Sequence, residues 1–280
     1  MKVLITGAGG QQGPDLIAAM SGWDVVPLAR DQLDVSEREQ VLQVVTTVEP
    51  DAIVHAGAWT AVDECESDPE RAFRVNALGS RHVAEAARLV GARVLYLSTD
   101  YVFDGRATTP YTEWDEPNPQ SVYARSKLAG EREVLAQLPG AAVVRTSVVC
   151  GVHGQNMVKT ILRLASERDR LSFVNDQHGC PTFSEDLASM IRRLVVSRLP
   201  GVFHVTNQGA TTWFDFARAV MAAAGLDPER VSPVSTAELS RPAPRPAFSV
   251  LDNAALRLQG IPLLDDWHIP LERTVQELTA

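Results

Sequence analysis

The chain has 280 residues and a net charge of −9, from 26 Lys and Arg against 35 Asp and Glu, with 45% hydrophobic residues. That acidity excludes the broad basic face a nucleic-acid binder needs, and no window reaches the ~18–20 apolar residues of a membrane span. Cys65, Cys150 and Cys180 have no C-x-x-C spacing and the six His form no ligand cluster, so neither a disulfide framework nor a bound metal is expected.

In chain order, Val3–Thr6 reads as a short buried strand ending in glycines, and Asp15–Met20 begins a helix. Asp24–Leu28 is the next strand. Ser36 is expected to cap a helix running to Val48, with Glu39 completing a capping box. Ala52–His55 is the third strand, Ser80–Val90 a helix, Arg93–Ser98 the fourth strand, Ser121–Leu138 a helix and Ala142–Arg145 the fifth strand. Apolar strands alternating with helices predict a doubly wound α/β domain, its parallel sheet covered on both faces. Beyond Gly151 the pattern loosens. Helical stretches (Met157–Glu167, Glu185–Val196, Trp213–Ala224, Trp267–Leu278) mix with short strands (Leu171–Val174, Val202–Val205) and a Pro-rich segment, 241–246. Residues 1–150 are therefore expected to form the first domain, and 151–280 a smaller mixed α/β lobe interleaved with it and contacting substrate.

The first strand runs into Gly7-Ala-Gly-Gly-Gln-Gln-Gly13, then a helix. Glycines at 7, 10 and 13 permit a tight turn, close approach of a pyrophosphate and tight helix–strand packing, the fingerprint of a Rossmann-type dinucleotide site. Arg30 directly follows the second strand. An Arg there accommodates a ribose 2′-phosphate, so NADPH is the expected cofactor, with NADH the alternative.

Tyr123 and Lys127 lie four apart on one predicted helix, and so on one face. An ammonium near a phenol lowers its pKa from about 10 and equips it to exchange a proton with a ketone or alcohol. The fourth strand ends Leu97-Ser98-Thr99, which places a hydroxyl at the sheet edge where ligands bind. Glycine loop, hydroxyl and Tyr/Lys pair, in this order, point to hydride transfer.

This order of parts resembles the extended short-chain dehydrogenase/reductase family, and the detail is similar to its dTDP-4-dehydrorhamnose reductase branch. The carrying residues are the glycine loop, Leu33-Asp-Val35, Ala56-Gly-Ala-Trp-Thr-Ala-Val-Asp63, Glu66 and Asn76-Ala77. They continue with Ser98-Thr-Asp-Tyr-Val-Phe103-Asp-Gly105, Val122-Tyr-Ala-Arg-Ser-Lys127-Leu-Ala-Gly-Glu131, Arg145-Thr-Ser147, Asn175-Asp-Gln-His-Gly-Cys-Pro-Thr182, Thr211-Thr-Trp213 and Arg245-Pro246.

The resemblance implies reduction of the C4 ketone of dTDP-4-dehydro-L-rhamnose by NADPH, with Thr99 orienting the carbonyl, Tyr123 donating the proton, and Lys127 tuning it and holding the ribose. Gly7, Gly10, Gln11, Gln12 and Arg30 would hold the cofactor, Asp34 and Val35 would border the adenine, and Ala56, Gly57, Ala58 and Thr60 would line the site. Thr60 and Val62 would reach the substrate, Asp100 and Tyr101 the sugar, and Asn156, Gln177 and Arg245 the nucleotide diphosphate. Val148 stands where the family often carries a Trp that packs on the sugar, and His55 where it often carries Asn. The alternatives are a reductase of a related dTDP-4-keto-6-deoxy sugar and a non-catalytic nucleotide-binding regulatory subunit. A cytoplasmic monomer or homodimer, with no nucleic-acid or membrane partner, is the expectation.

Overall fold

The computed structural model describes residues 1–280. Six strands form one parallel sheet: β1 (Lys2–Thr6), β2 (Asp24–Leu28), β3 (Ala52–His55), β4 (Arg93–Thr99), β5 (Ala142–Thr146) and β6 (Gly201–His204). Their order across the sheet is β6-β5-β4-β3-β1-β2. The chain leaves β1 for β2 on one side and returns to β3 on the other. The C-terminal ends of β1 and β3 therefore flank the topological switch point, where open α/β sheets bind ligands.

Alternation along each strand assigns the two faces. Val3 and Ile5 of β1 join Val54, Leu95, Val144 and Phe203 in one core cluster, covered by α1 (Gly13–Ala19) and by Leu187 and Ile191 of the later helix Ser184–Ser197. Leu4 points the other way, with Ile53, Val94 and Val143, under α2 (Arg38–Val48), α3 (Gly79–Val90) and α4 (Val122–Gln137). Four longer helices follow, α5 (Met157–Glu167), α6 (Ser184–Ser197), α7 (Trp213–Ala223) and α8 (His268–Thr279). Ile161, Phe183, Phe216, Trp267 and Leu271 build a third core among them.

The first five strands fall where the sequence places them. The strand expected at Val202–Val205 forms at Gly201–His204 and joins the main sheet, with Val202 opposite Val143 and Phe203 opposite Val144. Its side chains split between the two faces, Phe203 into one core and Val202 against the other.

The expected capping box at Ser36 does not form. Ser36 Oγ instead donates to Asp34 Oδ1 at 2.7 Å, Glu39 accepts from Arg38, and α2 begins at Arg38. A carboxylate two residues back is the stronger local acceptor, so the Asp-turn wins over the cap. Ser121 does cap α4, accepting from the Ala124 amide at 3.2 Å, which fixes Tyr123 in the first turn.

Gly130 lets α4 lie close to its neighbours: a Cβ there would come within 2.3 Å of the Asn76 carbonyl oxygen and 2.4 Å of the Tyr96 hydroxyl. In an exposed helix Gly→Ala stabilises. Here Gly130→Ala should destabilise by about 1–3 kcal/mol through overpacking, read as a lower denaturant midpoint; an unchanged or raised midpoint would show that α4 can move away.

Candidate functional site

A cleft of about 960 Å³ opens at the C-terminal edge of the sheet, walled by the glycine loop, the segments after β2, β3 and β4, and the start of α4. Gly7 has φ +70°, and a Cβ on it would sit 2.6 Å from Gly57 Cα, so the turns after β1 and β3 touch. A Cβ on Gly13 would meet the Ala8 carbonyl oxygen at 1.9 Å. These contacts require glycine and leave backbone facing the cleft.

Gly7, Gly10, Gln11, Gln12, Arg30, Asp34, Val35, Ala56, Gly57, Ala58, Thr60, Tyr123 and Lys127 all line this cavity. Arg30 keeps a largely exposed side chain with only a loose approach to Asp34, 3.7 Å. Gln12 is buried, its amide nitrogen donating to the Ser184 carbonyl at 2.7 Å while its Oε1 has no protein partner. A glycine-walled cradle of backbone with an exposed Arg at the second strand fits a phosphorylated dinucleotide.

The reactive end lies where β4 meets α4. Thr99 Oγ1 donates to Asp100 Oδ1 at 3.1 Å and accepts from the Tyr101 amide. Asp100 is buried and also accepts from Ser147 (2.8 Å) and Ser249 (2.5 Å); burial nonetheless raises its pKa above the ordinary carboxylate value. Burial likewise pushes the Tyr123 phenol up, with Thr99 pulling the other way. Lys127 is buried, donates to the Leu97 carbonyl at 2.6 Å and lies over the Tyr96 ring; burial brings its ammonium down to about 7, against the pull of Glu131.

Burial, not Lys127, governs the Tyr123 phenol, contrary to the expected lowering. Desolvation dominates both groups. The result still suits a proton donor, since the phenol stays protonated at neutral pH.

A second, much smaller cavity lies on the far side of Val148. Tyr101, Val148 and Gln177 line it, together with His178, Thr212 and Trp213. Val148 borders both cavities, with φ +46°. A β-branched residue in the left-handed region is strained, and such strain persists only where the surroundings impose it. Tyr101 packs edge-on against Tyr123 with ring centres 6.1 Å apart.

Three predicted substrate residues line neither cavity. Val62 packs beneath the site beside Tyr123 and Cys65. Asn156 caps α5, with its amide nitrogen on the Gly151 carbonyl. Arg245 spends its fork on Asp63 at 2.5 and 2.7 Å, which holds that carboxyl at about 2.

Sequence reasoning missed Arg71, whose guanidinium lies 4.2 Å over the Trp59 ring as both line the main cleft. It also missed His178, Thr212 and Trp213 as cavity residues, although the quoted motifs contain them.

A parallel sheet carrying a glycine-loop dinucleotide cleft, with a Thr, a Tyr and a Lys gathered at its closed end, defines an oxidoreductase of the short-chain dehydrogenase/reductase type. The family model described as the RmlD substrate binding domain matches residues 1–280. A dTDP-4-dehydrorhamnose reductase of Mycobacterium tuberculosis is 42% identical over 96% of this chain and 91% of its own. A dTDP-4-keto-6-deoxy-D-glucose reductase of Streptomyces niveus is 39% identical over 99% of this chain and 97% of its own. The structure of a dTDP-4-dehydrorhamnose reductase from Bacillus anthracis in complex with NADP superposes with a TM-score of 0.96, at 41% identity and 99% coverage of both chains. This chain belongs to the dTDP-4-dehydrorhamnose reductase (RmlD) family.

The desolvated Lys127 has a measurable consequence. Above pH ~7 the folded protein holds it neutral, whereas the unfolded chain keeps its proton to near 10.5. The unfolded state then binds more protons, so this group adds stability as pH rises. The unfolding free energy of the ligand-free protein minus that of Lys127→Met should therefore grow between pH ~7 and ~9, by denaturant titration. A flat difference would mean that the ammonium is solvated.

Proposed function

We propose that this chain reduces the C4 ketone of dTDP-4-dehydro-L-rhamnose to dTDP-L-rhamnose with NADPH. The observation that carries the reading is the convergence of Thr99, Tyr123 and Lys127 at the closed end of the glycine-loop cleft, in a chain that the RmlD family model matches throughout. When bound, NADPH supplies the hydride.

The chain's own residues handle the oxygen and the proton. Tyr123, kept neutral by burial, donates its proton to the carbonyl oxygen. Thr99 turns its hydroxyl from Asp100 to that oxygen, where a hydrogen bond strengthens as negative charge develops. Lys127 grips the ribose and offsets the charge left on Tyr123. Arg30, exposed at the mouth of the cleft, takes the 2′-phosphate.

Asp100 and Tyr101 border the sugar. Gln177, which lines the second cavity, serves the nucleotide diphosphate. In this reading the enzyme works in the cytoplasm as a monomer or homodimer.

One observation favours a second reading, a related dTDP-4-keto-6-deoxy sugar as substrate. Val148 presents a small strained side chain between the two cavities where the branch often has Trp. Incubation with dTDP-4-keto-6-deoxy-glucose, with and without a 3,5-epimerase, followed by product analysis, separates the two.

For the main reading, the wild-type chain alone should oxidise NADPH in the presence of dTDP-4-dehydro-L-rhamnose. Tyr123→Phe should fold and bind NADPH with near wild-type affinity while kcat falls by about 10²–10⁴-fold. Near wild-type turnover in that variant would overturn the assignment.

A further inference from the structure

Beside the reactive centre the sheet holds a fully buried imidazole whose two ring nitrogens both have partners. His55 Nδ1 lies 2.7 Å from Thr6 Oγ1, and Nε2 lies 3.0 Å from Ser80 Oγ. Ser80 has one hydroxyl proton, which it donates to the Asn76 carbonyl at 2.7 Å. It must then accept from His55, which fixes the Nε2–H tautomer and leaves Nδ1 to accept the proton of Thr6. The Thr6 oxygen in turn accepts from the Gly57 amide at 3.3 Å. The chain is directional from end to end: Gly57 N–H to Thr6, Thr6 O–H to His55, His55 N–H to Ser80, Ser80 O–H to Asn76.

Asn76 carries the line onward. Its Oδ1 accepts from the Trp59 amide at 2.8 Å, and its Nδ2 donates to the Trp59 carbonyl and to Ser126 Oγ at 3.0 and 2.9 Å. Ser126 Oγ donates to the Tyr123 carbonyl at 2.7 Å. Thr6, His55, Asn76, Ser80 and Ser126 are all fully buried.

We infer that His55 is a positioning residue, locking the turn after β3 against the turn after β1 and thereby setting the cofactor-facing loop Ala56–Thr60 relative to the helix of Tyr123. The two turns already touch, at the Gly7–Gly57 contact, and Thr6 and His55 are the last residues of their strands. An apolar residue at 55 would fill the space without the desolvation cost of an imidazole, but it would leave the Thr6 hydroxyl proton without its acceptor in the core and Ser80 Oγ without a donor. Burial and the nearby Lys127 hold the ring's pKa at about 3, so it works as a neutral bridge.

The inference rests on the cleft being a nicotinamide dinucleotide site, and its test reads binding rather than turnover. NADPH affinity is measured by calorimetry on the purified chain, with unfolding midpoints in parallel. Thr6→Val and His55→Phe should each weaken NADPH binding by on the order of 10-fold. The double variant should lose no more than ~2-fold beyond the worse single one, because both cut the same chain. His55→Asn, whose side-chain oxygen can still accept from Thr6, should recover most of the affinity lost in His55→Phe.

A merely structural histidine would lower the midpoint and leave affinity unmoved. Affinities of the two single variants within ~2-fold of wild type, or losses that add in the double, overturn the inference. If His55→Phe does not fold, the isosteric Thr6→Val alone decides by the same criterion. Wild-type protein that binds no NADPH overturns the cofactor reading and this inference together, whereas wild-type binding with unmoved variants overturns this inference alone.

Discussion

The site depends on a buried ion pair between α4 and the sheet. Arg145, near the end of β5, meets the Glu131 carboxylate through Nη2 at 2.7 Å and Nε at 3.0 Å, and Ser98 Oγ from β4 donates to the same carboxylate at 2.5 Å. Both charged side chains are almost completely buried. Removing one partner of such a pair costs about 3–5 kcal/mol, because the other is left buried and uncompensated. The helix that carries Tyr123 and Lys127 is therefore pinned to the two strand ends that carry Thr99 and Thr146, at the depth where the chemistry must occur.

Glu131 also lies one helical turn beyond Lys127, and its charge favours the ammonium while burial opposes it. Without Arg145 the buried Glu131 carboxylate would stand uncompensated beside Lys127. The pair thus does two things at once: it fixes a helix in place and sets a negative charge beside a lysine that lines the cleft. A chain of net charge −9 offers no general attraction for diphosphates, so the work falls to a few cations held at defined positions.

The parallel sheet was legible because each strand is a short apolar run set off by turn residues, a local signal that needs no knowledge of tertiary partners. The cofactor cleft was legible for a related reason: Gly7, Gly10, Gly13 and the Tyr123–Lys127 pair satisfy constraints written within a few residues of chain. The destination of the strand at Gly201–His204 was not, since its pattern fits any buried strand and only its packing against β5 chooses the sheet. The failed cap at Ser36 turned on a competition with Asp34 that spacing rules do not weigh. Arg71 over Trp59 and the His55 chain join residues distant in sequence, and no single segment signals either contact.

The same limit bears on how the two halves relate. The glycine loop is tied to the second half through Gln11, which donates to the Val149 carbonyl, and Gln12, which donates to that of Ser184. Asp100, in the first half, takes one of its hydrogen bonds from Ser249. The bond to Val149 lies next to the strained Val148, which separates the main cleft from the second cavity. The glycine loop and the wall between the two cavities are thus joined, across the two halves of the chain, by one hydrogen bond and one residue of backbone.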